Sequence, residues 1–476
     1  MINQLLSLYS PHYPKILVYM LQASEYKIGP YIAWLHRTKN FNTVSERRTL
    51  NLTKPARLLL SALGLGILAQ IFAGLLLIYL GIWHHLAGGI VFGVAVLISY
   101  PLLWPYLLLI PLLLGRALVD IPTETRAAHQ TQDALAQHKS IKIAVTGSYG
   151  KTTMKELLLT VLGEGFTVAA TPGNKNVTKS HAQFVKGLTG KEDILVIEYG
   201  EGAPGDVARF AQITSPTHAV ITGLAPAHLD KYKTLAAAGK DIFSVADYLK
   251  GEQVYVHGDE NVQPFLKKSY KVFDEHSALG WRVSDVTVSL GGTSFNMTKG
   301  KTTLKLKSGL IGAHQVAYLS FVAALSRELG MSDEDIKNGI AKTMPFEHRM
   351  QPYRLHGAWI IDDTYNGNLE GIRAGTRLLK TLPARRKLYV TPGLVDQGEE
   401  TEKVHKIIGK LIADAKPDMV VLMQNSVTKY IQEGLKGYKG EIVLEPKPLD
   451  FYTNLAQFVA EGDLVLMQND WPDNYS

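Results

Sequence analysis

The chain has 476 residues, 46% of them hydrophobic and 20% charged, which excludes a disordered, collagen-like or low-complexity polymer and suggests about three domains. It has no cysteine, so a disulfide framework, a thiolate nucleophile and any Cys-held zinc or iron–sulfur centre are excluded. The net charge of +7 is concentrated: Lys15, Lys27, Arg37, Lys39, Arg47, Arg48, Lys54 and Arg57 against Glu25 and Glu46 give +6 within residues 1–57. A nucleic-acid binder spreads basic charge over its folded domain, whereas an excess just ahead of an apolar block points to a membrane surface.

Residues 1–57 read as a basic, amphipathic N-terminal region. Within it, Pro14–His36 mixes Ile16, Leu17, Tyr19, Met20, Leu21, Tyr31, Ile32 and Trp34 with Lys15, Glu25 and Lys27. Interfacial helices and ordinary helices packed on the main body share that pattern. From Leu58 to Gly115 there is no Asp, Glu, Lys or Arg. Leu58–Trp83 and Ile90–Gly115 each exceed the ~20 apolar residues of a membrane helix, and His84–Gly89 interrupts them. Residues 58–115 are therefore expected to form a two-helix transmembrane hairpin, the competing reading being a buried hairpin of a soluble domain. The block starts too late and runs too long for a cleaved signal peptide. Pro101, Pro105 and Pro111 are expected to kink its second helix. Basic residues precede the block and resume at Arg116 and Arg126, while the connecting turn has none. By the positive-inside rule both flanks, and everything after residue 116, face the cytoplasm from the cell (inner) membrane.

After residue 116 the pattern becomes α/β. Ile141–Thr146, Ile194–Glu198, Ala219–Thr222 and Val254–His257 read as buried strands, with a helix at Lys155–Leu162 after the first. This alternation predicts a mainly parallel sheet with helices on its faces. Val286–Met297 and Thr302–Leu306 read as a small β insertion, and Gln315–Leu329 as a helix. A Rossmann-like α/β unit starts near Trp359, with strands at Trp359–Ile361, Lys387–Thr391 and Met419–Leu422 and helices at Leu369–Leu379 and Glu402–Ala415. The expected domains are thus a central ATP-binding domain at 116–345 and a C-terminal domain at 346–476.

The strongest motif is Thr146-Gly147-Ser148-Tyr149-Gly150-Lys151-Thr152-Thr153, between a strand and a helix. Glycines let backbone N–H groups curl around a phosphate, the lysine neutralises β/γ-phosphate charge, and a threonine hydroxyl can bind Mg²⁺. Val145 stands where a strict Walker motif has its first glycine. Glu198 ends a buried strand, on the edge where open α/β sheets bind ligands, and could complete a Mg²⁺ site with Thr152. Ala227-His228-Leu229 follows a third strand on the same predicted edge.

In this order the motifs resemble the Mur ligase family, ATP-dependent amide-forming enzymes of bacterial cell-wall synthesis, over residues 140–470. The family's TGxxGKTT is Thr146–Thr153, and its GN-x-N segment is Gly173-Asn174-Lys175-Asn176. Glu198-Tyr199-Gly200 followed by Pro204-Gly205-Asp206 is similar to a segment of the MurF branch. The AHL segment is Ala227-His228-Leu229, the lysine that family members carbamylate matches Lys240, and the family arginine matches Arg349 in Glu347-His348-Arg349-Met350. Asp362-Asp363-Thr364-Tyr365-Asn366-Gly367-Asn368 looks like the MurF-type DDSYNAN motif. The chain departs from the family at the HNxxN helix start, here His314-Gln315-Val316-Ala317-Tyr318, and at a C-domain turn, here Thr391-Pro392-Gly393-Leu394-Val395-Asp396-Gln397-Gly398. The soluble domain that holds a uridine nucleotide in the family is replaced by the apolar hairpin.

The resemblance implies catalytic roles for Lys151, Glu198, His228, Lys240, Arg349 and Asp363. It implies ATP contacts from Gly147, Ser148, Gly150, Lys151, Thr152, Thr153, Asn174, Asn176, His314, Arg349, Asp363 and Asn366. Two Mg²⁺ ions would be held, the first by Thr152 and Glu198, the second with His228 and a carbamylated Lys240. The implied reaction phosphorylates a carboxylate to an acyl phosphate, which an amine then attacks; phosphate charge is what Lys151, Mg²⁺ and helix-N-terminal amides suit. The leading expectation is a membrane-anchored MurF-like ligase joining D-alanyl-D-alanine to a muramoyl-peptide carboxylate, with a small-molecule cell-wall precursor, an amino-acid or dipeptide amine and membrane lipid as partners, and no nucleic acid. The alternatives are a Mur-family amide ligase acting on another carboxylate, such as a lipid-linked precursor or a polyamino acid, and a membrane nucleotide-binding protein without ligase activity.

Overall fold

The computed structural model describes residues 7–24, 26–41, 50–173, 176–226, 229–365, 367–394 and 397–469. The chain divides into two compact units, one up to Thr125 and one from Arg126 onward.

The first unit is helical. Its elements are α1 (Tyr13–Ala23), α2 (Ile28–Arg37), α3 (Lys54–Trp83), α4 (Ala87–Leu107) and α5 (Leu109–Gly115), then a π-helical turn at Arg116–Asp120. Helix α6 (Ile121–Gln137) runs on into the second unit. Two helices, α3 and the segment beginning at Ala87, are long and apolar enough to cross a membrane. Helices α3 and α4 cross closely: a Cβ on Gly93 would lie 2.8 Å from the Gly74 carbonyl oxygen. Their one shared amide is fully used. Gln70 Nε2 donates to Val96 O at 2.8 Å and to Ser99 Oγ at 3.0 Å, and Trp104 Nε1 donates to Gln70 Oε1 at 2.7 Å. Away from the seam the pair exposes Leu58, Leu65, Phe72, Trp83, Val91, Phe92 and Leu102.

The second apolar helix is interrupted within the proline-rich stretch where the sequence predicts a kink. It breaks at Leu108, because Pro111 has no N–H for the Leu107 carbonyl. Pro105 likewise leaves the Pro101 carbonyl without its helical donor, and there the Tyr13 hydroxyl donates at 3.0 Å. The Tyr31 hydroxyl donates to Pro105 O at 3.3 Å, and the Tyr9 hydroxyl to Ile98 O at 2.6 Å. Helix α1 buries Ile16, Leu17, Val18, Tyr19, Met20 and Leu21 consecutively, in one apolar cluster with Leu59, Leu63 and Leu108. The first helices thus pack on the hairpin, an arrangement that neither sequence-based alternative contains.

The second unit holds two sheets. The central part runs β1 (Ile141–Thr146), α7 (Lys151–Leu162), β2 (Val168–Ala170), α8 (Thr178–Lys186), β3 (Ile194–Glu198), α9 (Asp206–Thr214), β4 (His218–Ile221), α10 (Leu229–Tyr232), α11 (Leu235–Phe243), β5 (Val254–His257), β6 (Lys271–Phe273), β7 (Ser277–Ala278), β8 (Trp281–Ser289), β9 (Gly292–Lys299), β10 (Thr302–Ser308), α12 (Gln315–Glu328) and α13 (Asp333–Ala341). The sheet order is β10-β9-β8-β7-β6-β5-β4-β1-β3-β2. Strands β2 to β6 pair in parallel through β1, as the strand–helix alternation requires, and β7 to β10 continue the same sheet antiparallel. The segments expected as a small β insertion, Val286–Met297 and Thr302–Leu306, lie in the antiparallel strands β8, β9 and β10, with a turn at Leu290-Gly291, and extend the main sheet. Helix α12 is buried along nearly its whole length between α7 and the β7–β9 strands.

The C-terminal part runs β11 (Gln351–Leu355), β12 (Ala358–Asp363), α14 (Leu369–Thr381), β13 (Arg386–Thr391), α15 (Thr401–Ala415), β14 (Met419–Met423), α16 (Thr428–Gly434), β15 (Glu441–Glu445), α17 (Pro448–Thr453), α18 (Leu455–Phe458) and β16 (Asp463–Gln468). Its sheet order is β11-β12-β16-β13-β14-β15, parallel throughout except for the edge strand β11. This is the expected open α/β sheet, with apolar layers on both faces.

Candidate functional site

Strands β1, β3 and β4 are adjacent and parallel, with Val145 opposite Glu198 and Thr146 opposite Ile221. Their carboxyl ends open on one edge, where parallel sheets place ligands. The turn from β1 into α7 needs two left-handed positions, Gly147 at φ 136° and Gly150 at φ 73°. A side chain at either would also collide, with Thr222 Oγ1 at the first and the Tyr318 hydroxyl at the second. The turn is tied from behind: Ser148 N donates to Gly223 O at 2.9 Å, the Thr222 hydroxyl to Thr146 O at 3.1 Å, and the Tyr318 hydroxyl to Thr222 O at 2.8 Å. Tyr318, where the motif departs from the family, thus braces the loop from α12.

Consecutive side chains of α7 then divide over two buried carboxylates. Lys151 Nζ donates to Gly147 O and to Glu201 Oε1, both at 2.6 Å. The Thr152 hydroxyl donates to Glu198 Oε1 at 3.1 Å, and Asn176 Nδ2 donates to the same oxygen at 3.3 Å. One turn deeper, the buried Lys155 Nζ donates to Thr171 O at 2.9 Å and to Gly173 O, and lies 3.6 Å from Glu198 Oε2. Below the strand end, His181 Nε2 donates to Glu198 O at 3.0 Å. Burial pushes the His181 imidazole down to about 4, so it stays neutral and fixes the strand end without adding charge.

Two buried oxygens, Glu198 Oε2 and Glu201 Oε2, accept no hydrogen bond among the described residues. A hydroxyl and a carboxylate are oxygen ligands of the kind that hard divalent cations take, so Thr152 and Glu198, 3.1 Å apart, fit the expected Mg²⁺. Among the described residues no three His, Asp or Glu side chains close around a single point.

The other expected residues are placed as follows. Gly147, Ser148, Gly150, Lys151, Thr152 and Thr153 all belong to the turn and the first turn of α7. His314 precedes α12; burial holds it down at about 4, and Gln315 Nε2 donates to its Nε2 at 2.9 Å. Lys240 lies on the exposed face of α11, and among the described residues it makes no ion pair with Glu198. Its neighbour Asp241 is buried instead, accepting from Gly205 N at 2.7 Å and from the Tyr232 hydroxyl at 2.8 Å. Arg349 lies between two left-handed residues, His348 and Met350, with its guanidinium 4.6 Å from the centre of the Tyr365 ring. Asp363 ends β12 and accepts from Met350 N at 3.2 Å and Gln468 Nε2 at 2.7 Å. Loss of water around its carboxyl outweighs these bonds and nearby Arg349 and lifts it to about 7. The structure joins neither Arg349 nor Asp363 to the glycine turn by a hydrogen bond or ion pair among the described residues. Asn174, His228 and Asn366 lie outside the described residues.

Sequence reasoning passed over Lys155, Glu201 and Gln468. Lys155 was accessible as the i+4 neighbour of Lys151 on a helix face. Gln468 is the register partner of Asp363. Nothing local marks Glu201.

Residues 145–325 match the Mur ligase middle domain family. The UDP-N-acetylmuramoyl-tripeptide–D-alanyl-D-alanine ligase of Bacillus subtilis is 26% identical over 364 residues, covering 74% of this chain and 78% of that protein. The Escherichia coli protein of the same name is 27% identical over 287 residues, 59% of this chain and 63% of its own length. The crystal structure of MurF ligase from Thermotoga maritima in complex with ADP has the same fold, with a TM-score of 0.66 at 23% identity over 74% of this chain and 81% of that one. These likenesses support a MurF-like Mur ligase for the part of the chain that they cover.

Proposed function

We propose that this chain is an ATP-dependent carbon–nitrogen ligase of cell-wall precursor synthesis, MurF-like, that joins D-alanyl-D-alanine to a muramoyl-peptide carboxylate and is anchored in a membrane by residues 58–115. The observation that carries the reading is the pairing of a phosphate-type turn with a buried acid: Thr152 lies 3.1 Å from Glu198 at the carboxyl edge of the parallel strands. Relatives that match 74% and 59% of this chain bear the name of that ligase.

On this reading the γ-phosphoryl group of ATP passes to a substrate carboxylate oxygen, releasing ADP. The amine then attacks the acyl carbon, a proton leaves the nitrogen, and phosphate departs. Backbone N–H groups of the turn and the α7 N-terminus hold the phosphates, and Lys151 offsets their charge. Mg²⁺ on Thr152 and Glu198, when bound, supplies charge neutralisation between the phosphates. Lys155 and Asn176 keep the Glu198 carboxylate in place. Arg349 and Asp363 approach the nucleotide from the C-terminal part. On the resemblance alone, His228 and a carbamylated Lys240 would hold a second Mg²⁺ and would supply further neutralisation of phosphate charge.

The membrane reading is supported by the uncharged length of α3 and α4, their outward apolar faces and the internally satisfied Gln70. The basic flanks support a topology with both ends, and the catalytic part, on the cytoplasmic side. A second reading, a Mur-type ligase for a lipid-linked or polymeric carboxylate, is favoured by one feature: the match to the relatives leaves about a quarter of the chain uncovered, and an apolar helical unit lies at its start. Full-length protein in nanodiscs, given ATP, candidate precursors and D-alanyl-D-alanine, separates the two. Mass analysis of the product identifies the acceptor, and ADP release without any new amide bond would overturn both.

A further inference from the structure

Glu201 has no counterpart in the motif set, yet its side chain is only 5% exposed and its Oε1 sits 2.6 Å from Lys151 Nζ. Its Oε2 is buried and accepts no hydrogen bond among the described residues. Glu198, three residues earlier, is differently served: Thr152 and Asn176 donate to one oxygen, and Lys155 lies 3.6 Å from the other. Each carboxylate therefore has a lysine, but the two lysines are not equivalent. Lys155 is locked, with two backbone carbonyls on its ammonium and no exposure. Lys151 is the side chain that the phosphates must recruit, and Glu201 competes with them for it: Gly147 O and Glu201 Oε1 already take two of the three donors of its ammonium.

We propose that Glu201 is a metal-ligating carboxylate of the nucleotide site, which surrenders Lys151 to the phosphates and takes up the divalent cation that accompanies them. The inference rests on the reading of the glycine turn as a nucleotide site. Its logic is charge balance. Drawing Lys151 onto a triphosphate removes the cation beside Glu201 and brings more negative charge to a carboxylate that water does not reach. A buried, uncompensated carboxylate is strongly disfavoured. The cation that arrives with the nucleotide is the partner available, and an oxygen-only donor set on Thr152, Glu198 and Glu201 suits it. Nucleotide and metal are thereby coupled: without metal, Glu201 competes with phosphate for Lys151; with metal, the competition ends. No covalent step is involved.

The test measures binding, not turnover. Full-length protein in nanodiscs is titrated with a non-hydrolysable ATP analogue, once in EDTA and once with Mn²⁺, whose binding is followed by electron paramagnetic resonance. In Glu201→Gln the analogue should bind about tenfold more tightly in EDTA, because Lys151 is released, while Mn²⁺ binding to the analogue complex weakens by about tenfold or more. Glu201→Asp, which keeps the charge, should retain Mn²⁺ binding at intermediate strength and guards against a folding defect in the first variant. Tighter metal-free binding with unchanged Mn²⁺ affinity would overturn the proposal and leave Glu201 a mere counter-ion, and no change in either titration would overturn it entirely. If wild type and Lys151→Ala bind the analogue equally poorly under both conditions, the nucleotide-site reading itself fails, which is a different result from either.

Discussion

Asp363 and Gln468 are register partners on the parallel strands β12 and β16, and the Gln468 amide donates to Asp363 Oδ2 at 2.7 Å. The same amide nitrogen donates to Gly371 O at 3.0 Å, while Gln468 Oε1 accepts from the buried Tyr389 hydroxyl at 3.0 Å. Gln468 thus ties the start of α14, the end of β12 and the core of the sheet to one carboxyl. An amide can do this whether Asp363 is charged or neutral, because the second oxygen of Asp363 is held by Met350 N.

The raised pKa of Asp363, about 7, makes a signed prediction. In the unfolded chain this carboxyl ionises near the ordinary aspartate value, about 4. Between about pH 4 and pH 7 the folded state holds the extra proton, so this group makes stability fall as pH rises through that window and level off above it. Asp363→Asn should flatten that part of the dependence of thermal midpoint on pH. An unchanged slope in the variant would show that the carboxyl titrates normally.

Lys151→Ala should leave the fold intact and lower ligation by at least about 100-fold, since a positioned cation facing developing phosphate charge is lost while the turn remains. Circular dichroism checks the fold and product mass the rate. Near-normal turnover would remove the turn from the mechanism.

Lys155→Met should act on stability. The substitution keeps the stem and deletes an ammonium on which two carbonyls and the Glu198 carboxylate depend, an effect of about 3–5 kcal/mol for breaking a buried pair from one side. Urea unfolding and protease sensitivity at the segment after Gly173 measure it. A stability equal to wild type would mean that Glu198 finds other compensation.

Lys240→Ala addresses the second metal. If the resemblance carries over, the variant loses most ligation, and a small carboxylate such as acetate restores part of it. Full turnover at low Mg²⁺ would return Lys240 to the role its exposed position on α11 already describes.

A chain beginning at Ile121 keeps α6 whole, including Ala127, Thr131 and Leu135, which are buried in the catalytic unit. It should be soluble and still bind ATP. Protease should reach the catalytic part on inside-out vesicles; protection there would reverse the assigned topology. Loss of ATP binding in the folded truncation would make the helical unit part of the site.

The glycine turn, Glu198 and both α/β sheets were legible because their signals are local: a strand of apolar residues, glycines at fixed spacing, an acid at a strand end. What escaped depends on distant partners. Lys151 and Glu201 are 50 residues apart, and Gln468 lies 105 from Asp363. The prolines predict the interruption of the second apolar helix, but not that Tyr13 and Tyr31, 88 and 74 residues earlier, serve the carbonyls of Pro101 and Pro105. The β character of Val286–Met297 is legible in its composition, but the turn at Leu290-Gly291 and the joining of these strands to the main sheet depend on partners elsewhere in the chain. Lys240 was placed by motif alone, and a helix turns neighbouring residues about 100° apart, so that Asp241 faces inward and Lys240 does not.

The bonds from Tyr13 to Pro101 and from Tyr31 to Pro105 also set an order of events during synthesis. The tyrosines leave the ribosome 88 and 74 residues ahead of the carbonyls that they serve. The first helices therefore cannot reach their final packing until the whole hairpin has been made. What is translated first is docked last, and the Pro101 and Pro105 carbonyls wait for it. A chain whose opening residues are masked by a bulky N-terminal fusion should insert its hairpin normally yet fail to close it, a defect that would show as proteolysis near Pro101 and not as loss from the membrane.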